Sequence, residues 1–309
     1  MYIFERFISL VKRKVNQLGT SLSITLPSKW VKTIGIKKGD DVDIDIANNS
    51  LIVHGEGNLF LEESTEISVK KGSLGYVKSM INNVYRKGYD EVLVHYEDEA
   101  TKKLILEALE ETMGFEVVEQ KENKLVIKNI AGLFESEFDN LMRRAFLITI
   151  SIAEESLIDL KQNKIDKEKY WQLKKTVEKL MNVCCRTLNK GVLRNNPNSK
   201  FRYLVIHTID KIAYAYYYII SLEKEPLSPP LLVYYANTTA YLRAFYDNYY
   251  QKNIGSISLL TDKKNTLLWE EGYRLMKKAN VSERIVLHHL MTVIRRTYEC
   301  MSPFLGEQL

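Results

Sequence analysis

The change in hydrophobic periodicity near residue 133 is the feature that most constrains the fold of this chain. Before it, apolar and polar residues alternate with period two in short runs, as half-buried strands do, and short helical segments separate these runs. After it, strand patterns end and long helical periods continue to the last residues. Such an organisation over 309 residues predicts a multidomain α+β protein with an all-α C-terminal part.

The first segment, residues 12–57, is predicted to form short strands around one short helix. The predicted strands are Arg13–Gln17, Leu22–Leu26, Val42–Ile46 and Leu51–Val53. Pro27 is expected to open a helix over Ser28–Ile34, because proline suits the first helical turn. Gly35 is expected to end that helix, because glycine readily takes the left-handed conformation.

Residues 58–130 are predicted to form a small α/β unit. Its predicted strands are Glu66–Lys70, Glu91–Tyr96, Phe115–Glu119 and Lys124–Lys128. Its predicted helices are Ser73–Lys87 and Glu99–Met113, each followed by a glycine. The βαβ portion is expected to have a right-handed crossover.

The remaining residues are predicted to form antiparallel helical bundles, because their six helical segments have short connections. These segments are 135–163, 167–192, 199–223, 229–252, 259–279 and 281–303. The sequence thus predicts three domains, with boundaries 1–57, 58–130 and 131–309.

Charge is distributed unevenly along the chain. Residues 1–38 hold eight Lys or Arg and one acid, whereas residues 39–66 hold eight acids and no Lys or Arg. The net charge of +5 for the whole chain hides this difference. A basic leading segment is typical of a protein that binds a phosphate backbone.

The basic segment carries an ordered series of motifs, Lys12–Gly19, Ile24–Trp30 and Thr33–Asp40, ahead of the last predicted hairpin. This series resembles the AbrB/MazE (SpoVT-like) DNA-binding domain over residues 11–57. The resemblance implies an N-terminal swapped-hairpin β-barrel, in which two chains exchange hairpins, and implies double-stranded DNA as a partner. A homodimer through residues 11–57 is also expected physically, because so few residues make a poor core alone.

Candidate DNA contacts lie on the first strand, the first turn and the short helix. They are Lys12, Arg13, Lys14, Gln17, Thr20, Ser21, Ser23, Lys29 and Lys32. Some members of the family have arginines where this chain has Thr20-Ser21 and Val31-Lys32, which puts base-reading specificity in doubt. A merely solvated basic surface is the alternative. An antitoxin role through a tail is another, disfavoured because some 250 patterned residues follow.

The helical region resembles the PhoU family in Arg143-Arg144, Val177–Leu180 with Arg186, and Ile209–Ala213. That resemblance implies two three-helix bundles, acidic metal-binding motifs and regulation of phosphate uptake. Thr176 and Ile206 replace expected acids, so only Glu178 and Asp210 remain as metal candidates. Two carboxylates are too few for a hard-metal cluster, so both are predicted to be surface acids paired with Lys or Arg. No metal or cofactor is predicted.

The sequence favours a non-enzymatic protein, because it contains no GxxxxGK[ST], no G-x-S-x-G and no GxGxxG after a strand. No catalytic residue is therefore assigned. Its three cysteines are predicted to be buried thiols, and its many helical tyrosines to pack between helices. No apolar run reaches the length of about 18 residues for a membrane span, and no signal peptide is recognised, so a cytoplasmic location is expected.

Two functions remain open at this stage. The first is a transcription regulator whose helical domain senses phosphate status, directly or through a partner protein. The second is a PhoU-like adaptor for a phosphate transporter or signalling protein, with its N-terminal part used for dimerisation. The clustered cations of residues 12–38 favour the first, because dimerisation alone does not require them.

Overall fold

The computed structural model describes residues 11–47, 50–55, 63–132, 134–190, 193, 196–222 and 226–309. The chain forms two compact units, Met1–Leu61 and Glu62–Leu309. The three domain boundaries expected from the sequence stay predictions. The architecture is α+β, with small β-hairpins in the first unit and mostly helix in the second.

The described residues of the first unit form two separate two-stranded antiparallel sheets and one helix. Its elements are β1 (Asn16–Leu18), β2 (Ser21–Ser23), α1 (Ser28–Ile34), β3 (Val42–Ala47) and β4 (Ser50–Gly55). The prediction of α1 is confirmed at both ends. Gly35 ends this helix with φ of 80°, and its N–H donates to the carbonyl of Val31.

The first hairpin is shorter than predicted. Its strands were expected over 13–17 and 22–26, but β1 begins at Asn16 and β2 ends at Ser23. Asn16 and Ser23 form the last pair of the ladder, so the residues beyond Ser23 have no strand opposite them. Gly19 opens the two-residue turn with φ of 61°, as a type II′ turn requires of its first residue.

The second unit begins with a four-stranded mixed sheet of order β5-β6-β8-β7. The elements of this part are β5 (Ser64–Val69), α2 (Leu74–Arg86), β6 (Glu91–Tyr96), α3 (Glu99–Leu109), β7 (Phe115–Lys121) and β8 (Lys124–Asn129). β5 and β6 run parallel, as the predicted βαβ arrangement requires, and β7 and β8 form the predicted hairpin. α3 stops four residues earlier than predicted, and turns lead from Glu110 to Gly114, whose φ is 84°.

Helices make up the rest of the second unit. They are α4 (Phe138–Gln162), α5 (Lys167–Asn189), α6 (Ser199–Leu222), α7 (Pro229–Gln251), α8 (Ile257–Asn265), α9 (Tyr273–Lys278), α10 (Val281–Glu299) and α11 (Met301–Gln308). In the part of the chain that the structure describes, none of them is long and apolar enough to span a lipid bilayer.

Two of the six helices predicted for this region are interrupted in the structure. The segment expected over 259–279 is interrupted by a π-helical segment, Thr266–Gly272, between α8 and α9. The hydroxyl of Tyr234 donates to the carbonyl of Leu267 inside this segment, at 3.0 Å. The segment expected over 281–303 ends at Glu299, because Pro303 cannot donate a helical hydrogen bond to that residue, and α11 begins after Cys300.

The α/β part packs against the helices through α2 and α5. Val183 of α5 is buried in the same core as Val84 and Phe115. Next to it, the buried Arg186 donates to the carbonyl of Tyr89 at 2.7 Å and to Asp90 at 2.9 Å. Through Val183 and Arg186, α5 thus contributes to the interior of the α/β part.

Candidate nucleic-acid interface

The register of the first hairpin decides which of its side chains share a face. Residues paired across an antiparallel ladder point to the same side, and neighbours along a strand point to opposite sides. Gln17 pairs with Leu22, whereas Asn16 pairs with Ser23 and Leu18 with Ser21. One face therefore carries Gln17 and Leu22, and the other carries the two serines.

The structure therefore brings together some of the candidate DNA contacts and separates others. Ser21 and Ser23 share a face, and the hydroxyl of Ser23 donates to the carbonyl of Asn16 at 3.4 Å. Gln17 lies on the opposite face, where its side-chain amide donates to the carbonyl of Gly19. Thr20 lies in the turn between the strands.

The basic residues ahead of β1 are exposed. Lys12, Arg13 and Lys14 all lie in the exposed class, and within the described ranges no ion pair joins any of them to an acid. They precede β1 rather than lie on it, so the prediction that places them on the first strand is wrong. Their charges remain accessible to an anionic partner.

Lys29 and Lys32 lie on α1 three residues apart, so they share one side of this short helix. Both are exposed. Two further exposed cations, Lys37 and Lys38, follow α1 in a turn that the side chain of Asp40 closes by accepting from the N–H of Lys37, at 2.7 Å.

Sequence reasoning left three polar residues out of the candidate site. Asn16 shares the face of Ser21 and Ser23, which only the strand register reveals. Lys37 and Lys38 contributed to the basic balance but were assigned only to a turn. Their exposure adds them to the cationic surface, and a count of charges alone could have included them.

Several apolar side chains of the first unit are also exposed. Leu18 is 74% exposed, Leu22 is 76% and Val15 is 60%. The two leucines lie on opposite faces of the hairpin, so neither face is covered. Among the described residues, the buried hydrophobic set begins only at Val69, in the second unit. The described part of the first unit thus lacks a core of its own.

The two metal candidates, Glu178 and Asp210, lie in the second unit. The prediction that each pairs with a Lys or Arg is confirmed, but the prediction that both lie on the surface is wrong. Glu178 is 7% exposed and pairs with Lys174, which is itself buried. Asp210 is 3% exposed and pairs with Lys211 at 3.1 Å. Packing of α5 against α6 buries both acids. Among the residues that the structure describes, no three His, Cys, Asp or Glu side chains are grouped to hold a metal ion.

Comparison with known proteins shows that part of the first unit is similar to a known family. Residues 15–53 match the family model described as antidote-toxin recognition MazE, bacterial antitoxin. This match covers about an eighth of the chain, and it contains both hairpins and α1 apart from the last residues of β4. Neither curated proteins nor solved structures gave a match to the chain. Residues 15–53 are thus similar to a MazE-type antitoxin domain.

Proposed function

We propose that this protein is a DNA-binding transcription regulator that acts as a homodimer. In this proposal, two copies exchange hairpins within residues 11–57 and form one β-barrel. The barrel holds the cations of residues 12–38 against the phosphates of a duplex. The protein is proposed to have no enzymatic activity.

One observation carries the proposal: the segment that overlaps the MazE-type match exposes its cations. Eight Lys or Arg and one acid occur in residues 1–38, and Lys12, Arg13 and Lys14 have no acidic partner among the described residues. Exposed cations attract a polyanion and displace its counterions. A dimerisation module alone would gain nothing from such a surface.

The exposed leucines support the homodimer. An isolated two-stranded hairpin is marginally stable in water, and Leu18 and Leu22 project from both faces of this one. Strands from a second copy would cover both faces at once. A two-fold protein in turn favours a pseudo-palindromic DNA site.

A salt titration of duplex binding by the full chain tests the proposal. The logarithm of affinity is expected to fall with the logarithm of salt, with a slope on the order of 4–8 in magnitude. Arg13→Ala/Lys14→Ala is expected to weaken binding and flatten the slope by roughly 1–2. The matched control is Lys277→Ala/Lys278→Ala, because these two lysines are also adjacent and exposed. The assigned surface is wrong if the Arg13/Lys14 variant binds with unchanged affinity and slope.

The description of the matched family also names toxin recognition. An antitoxin role is therefore the second candidate, and it predicts a stable complex with a toxin protein through residues of this chain. Expression of the chain together with a candidate toxin, followed by a growth assay, distinguishes the two. Rescue of growth by an Arg13→Ala/Lys14→Ala variant that no longer binds DNA would favour the antitoxin role.

The finer part of the proposal concerns the helical region. Its PhoU-like sequence features support a sensing or interaction role in phosphate homeostasis. The competing adaptor function would place its target among phosphate transporters or phosphate-signalling proteins. Genome-wide occupancy at high and low phosphate tests this part. Occupancy that is present but does not respond to phosphate would remove the phosphate role and leave DNA binding intact.

A further inference from the structure

A groove between α6 and α10 is lined by cations and aromatic rings. It is a shallow groove open to solvent, with a volume of about 470 Å³, within the range of small-molecule sites. α6 contributes Lys211, Tyr214 and Tyr218, and α10 contributes His289, Thr292 and Arg296. Among the described residues that line the groove, none is an Asp or a Glu.

The groove has two chemically different ends, because α6 and α10 run in opposite directions there. Tyr218, near the C-terminal end of α6, stacks on His289, at the middle of α10, with ring centroids 5.4 Å apart and planes 27° apart. Lys211 lies seven residues before Tyr218, and Arg296 lies seven residues after His289. The aromatic pair and the two cations thus lie at opposite ends of the groove.

The two cations of the groove also affect the pKa of a neighbouring imidazole. Burial, and then Lys211, Arg86 and Arg296, lower the pKa of His207, although Asp210 opposes them. Two of these three cations line the groove. Since α6 and α10 run in opposite directions from the contact of Tyr218 with His289, the two lining cations lie at the same end of the groove.

Each of the two cations keeps hydrogen-bonding capacity for a ligand. Lys211 pairs with Asp210 at 3.1 Å, and Arg296 pairs with Glu299 at 2.7 Å. An ammonium has three donors and a guanidinium has five, so each can bind a further anion. Both side chains are exposed, and a ligand could therefore reach them.

The aromatic end presents flat surfaces. Tyr218 is 44% exposed, and the imidazole of His289 is kept neutral by burial and by His288, which both lower its pKa. Tyr214 lies between the two ends, with the ammonium of Lys211 5.5 Å from its ring centroid. Tyrosine and neutral imidazole rings stack on planar heterocycles without preference for one base.

We propose that this groove binds a nucleotide, with the phosphates at Lys211 and Arg296 and the base against Tyr218 and His289. The seven residues from Lys211 to Tyr218 span about 10 Å along a helix. A nucleoside diphosphate reaches over a similar distance from its base to its terminal phosphate. Inorganic phosphate would use only one end of the groove. This site does not depend on the DNA-binding proposal.

Calorimetric titration of the full chain with ADP, GDP and UDP tests the site, with adenosine and inorganic phosphate as comparators. At least one diphosphate is expected to bind about tenfold or more tightly than either comparator, because only the diphosphates engage both ends. Absence of binding by all three diphosphates at millimolar concentration would overturn the proposal. Equal affinity for inorganic phosphate would also overturn it, in favour of a simple anion site.

Variants locate the site on the protein. Arg296→Gln is expected to weaken diphosphate binding about tenfold, and Tyr218→Leu to weaken the diphosphate but not inorganic phosphate. Arg295→Gln is the matched control, because Arg295 points about 100° away from Arg296 on the helix. Arg295 affects the pKa of Tyr234 rather than the groove. All variants are first compared by thermal unfolding. Equal loss in the Arg295 and Arg296 variants would place the ligand elsewhere.

Discussion

Arg186 of α5 donates a hydrogen bond to the carboxylate of Asp90, which follows α2, at 2.9 Å. The same guanidinium donates to the carbonyls of Tyr85 and Tyr89, at 3.0 and 2.7 Å. Burial lowers the pKa of Arg186, and the neighbouring Tyr85 and Asp90 act in the opposite direction. Lys190 pairs with the second oxygen of Asp90. This cluster fixes the sheet against the helices.

Arg186→Leu is therefore expected to lower the free energy of unfolding by about 2–3 kcal/mol, since it removes the donor to two carbonyls and to one oxygen of Asp90, whose other oxygen keeps Lys190. Urea denaturation of the full chain measures the loss. Arg284→Ala, at an exposed arginine of α10, is the control and is expected to change stability by less than about 0.5 kcal/mol. Equal stability of the two variants would contradict a structural role for Arg186.

Removal of the two hairpin leucines tests the dimer. Leu18→Ser/Leu22→Ser is expected to raise the dimer dissociation constant at least about 100-fold, because each buried leucine contributes about 2 kcal/mol. Sedimentation velocity over a range of concentrations measures this. Leu259→Ser is the control, because this leucine of α8 is 70% exposed in the second unit. A dimer that forms equally well in both variants would show that the hairpin is not the interface.

Gly272 is required at the end of the π-helical segment. A Cβ atom there would lie 2.8 Å from the hydroxyl oxygen of Tyr234 and 3.0 Å from the carbonyl oxygen of Leu267. Gly272→Ala is expected to lower stability by about 1–3 kcal/mol, measured by thermal unfolding. Adding Tyr234→Phe is expected to recover part of the loss.

Gly75→Ala is the matched control for this position, because Gly75 lies on α2 with open space around its Cβ position. It is expected to be neutral or to stabilise the helix by about 0.5–1 kcal/mol. If both alanines had the same effect, the contact with Tyr234 would not constrain the π-helical segment.

The three cysteines are expected to resist modification in the native protein. Cys184, Cys185 and Cys300 are buried and free, as predicted, and burial raises the pKa of each thiol, to about 12 for Cys185 and Cys300. Since the thiolate is the reactive form, a maleimide at pH 7 should label none of them without denaturant and all three in it. Ser282→Cys, at an exposed position of α10, provides a thiol that labels at once. Rapid native labelling of the wild-type chain would contradict this burial.

Elements with strong local signals could be predicted closely from the sequence. α1 was predicted at both ends because Pro27 and Gly35 mark its limits, and β6 because Glu91–Tyr96 is rich in β-branched and aromatic residues. The shortened hairpin could not be predicted, since its ends depend on pairing rather than on composition. The break between α10 and α11 at Cys300 could have been predicted, because proline interrupts helical hydrogen bonding and Pro303 is visible in the sequence.

The same distinction applies to the candidate site. The basic segment is recognisable from charge alone, but the separation of Gln17 from Ser21 and Ser23 requires the strand register. The burial of Glu178 and Asp210 depends on which helices meet, and the periodicity of one helix does not contain that information. The groove between α6 and α10 was likewise invisible, because its residues lie far apart in the sequence.

The packing of α5 against the α/β part has a practical consequence for dividing this chain into fragments. A cut between residues 130 and 131 would follow the change in sequence periodicity. It would remove the contacts of α5 with α2 and leave the guanidinium of Arg186 in contact with solvent. A fragment of residues 62–309 keeps that surface closed. The boundary for expressing stable fragments therefore depends on the contacts of α5. It lies between residues 61 and 62, about 75 residues before α4 begins.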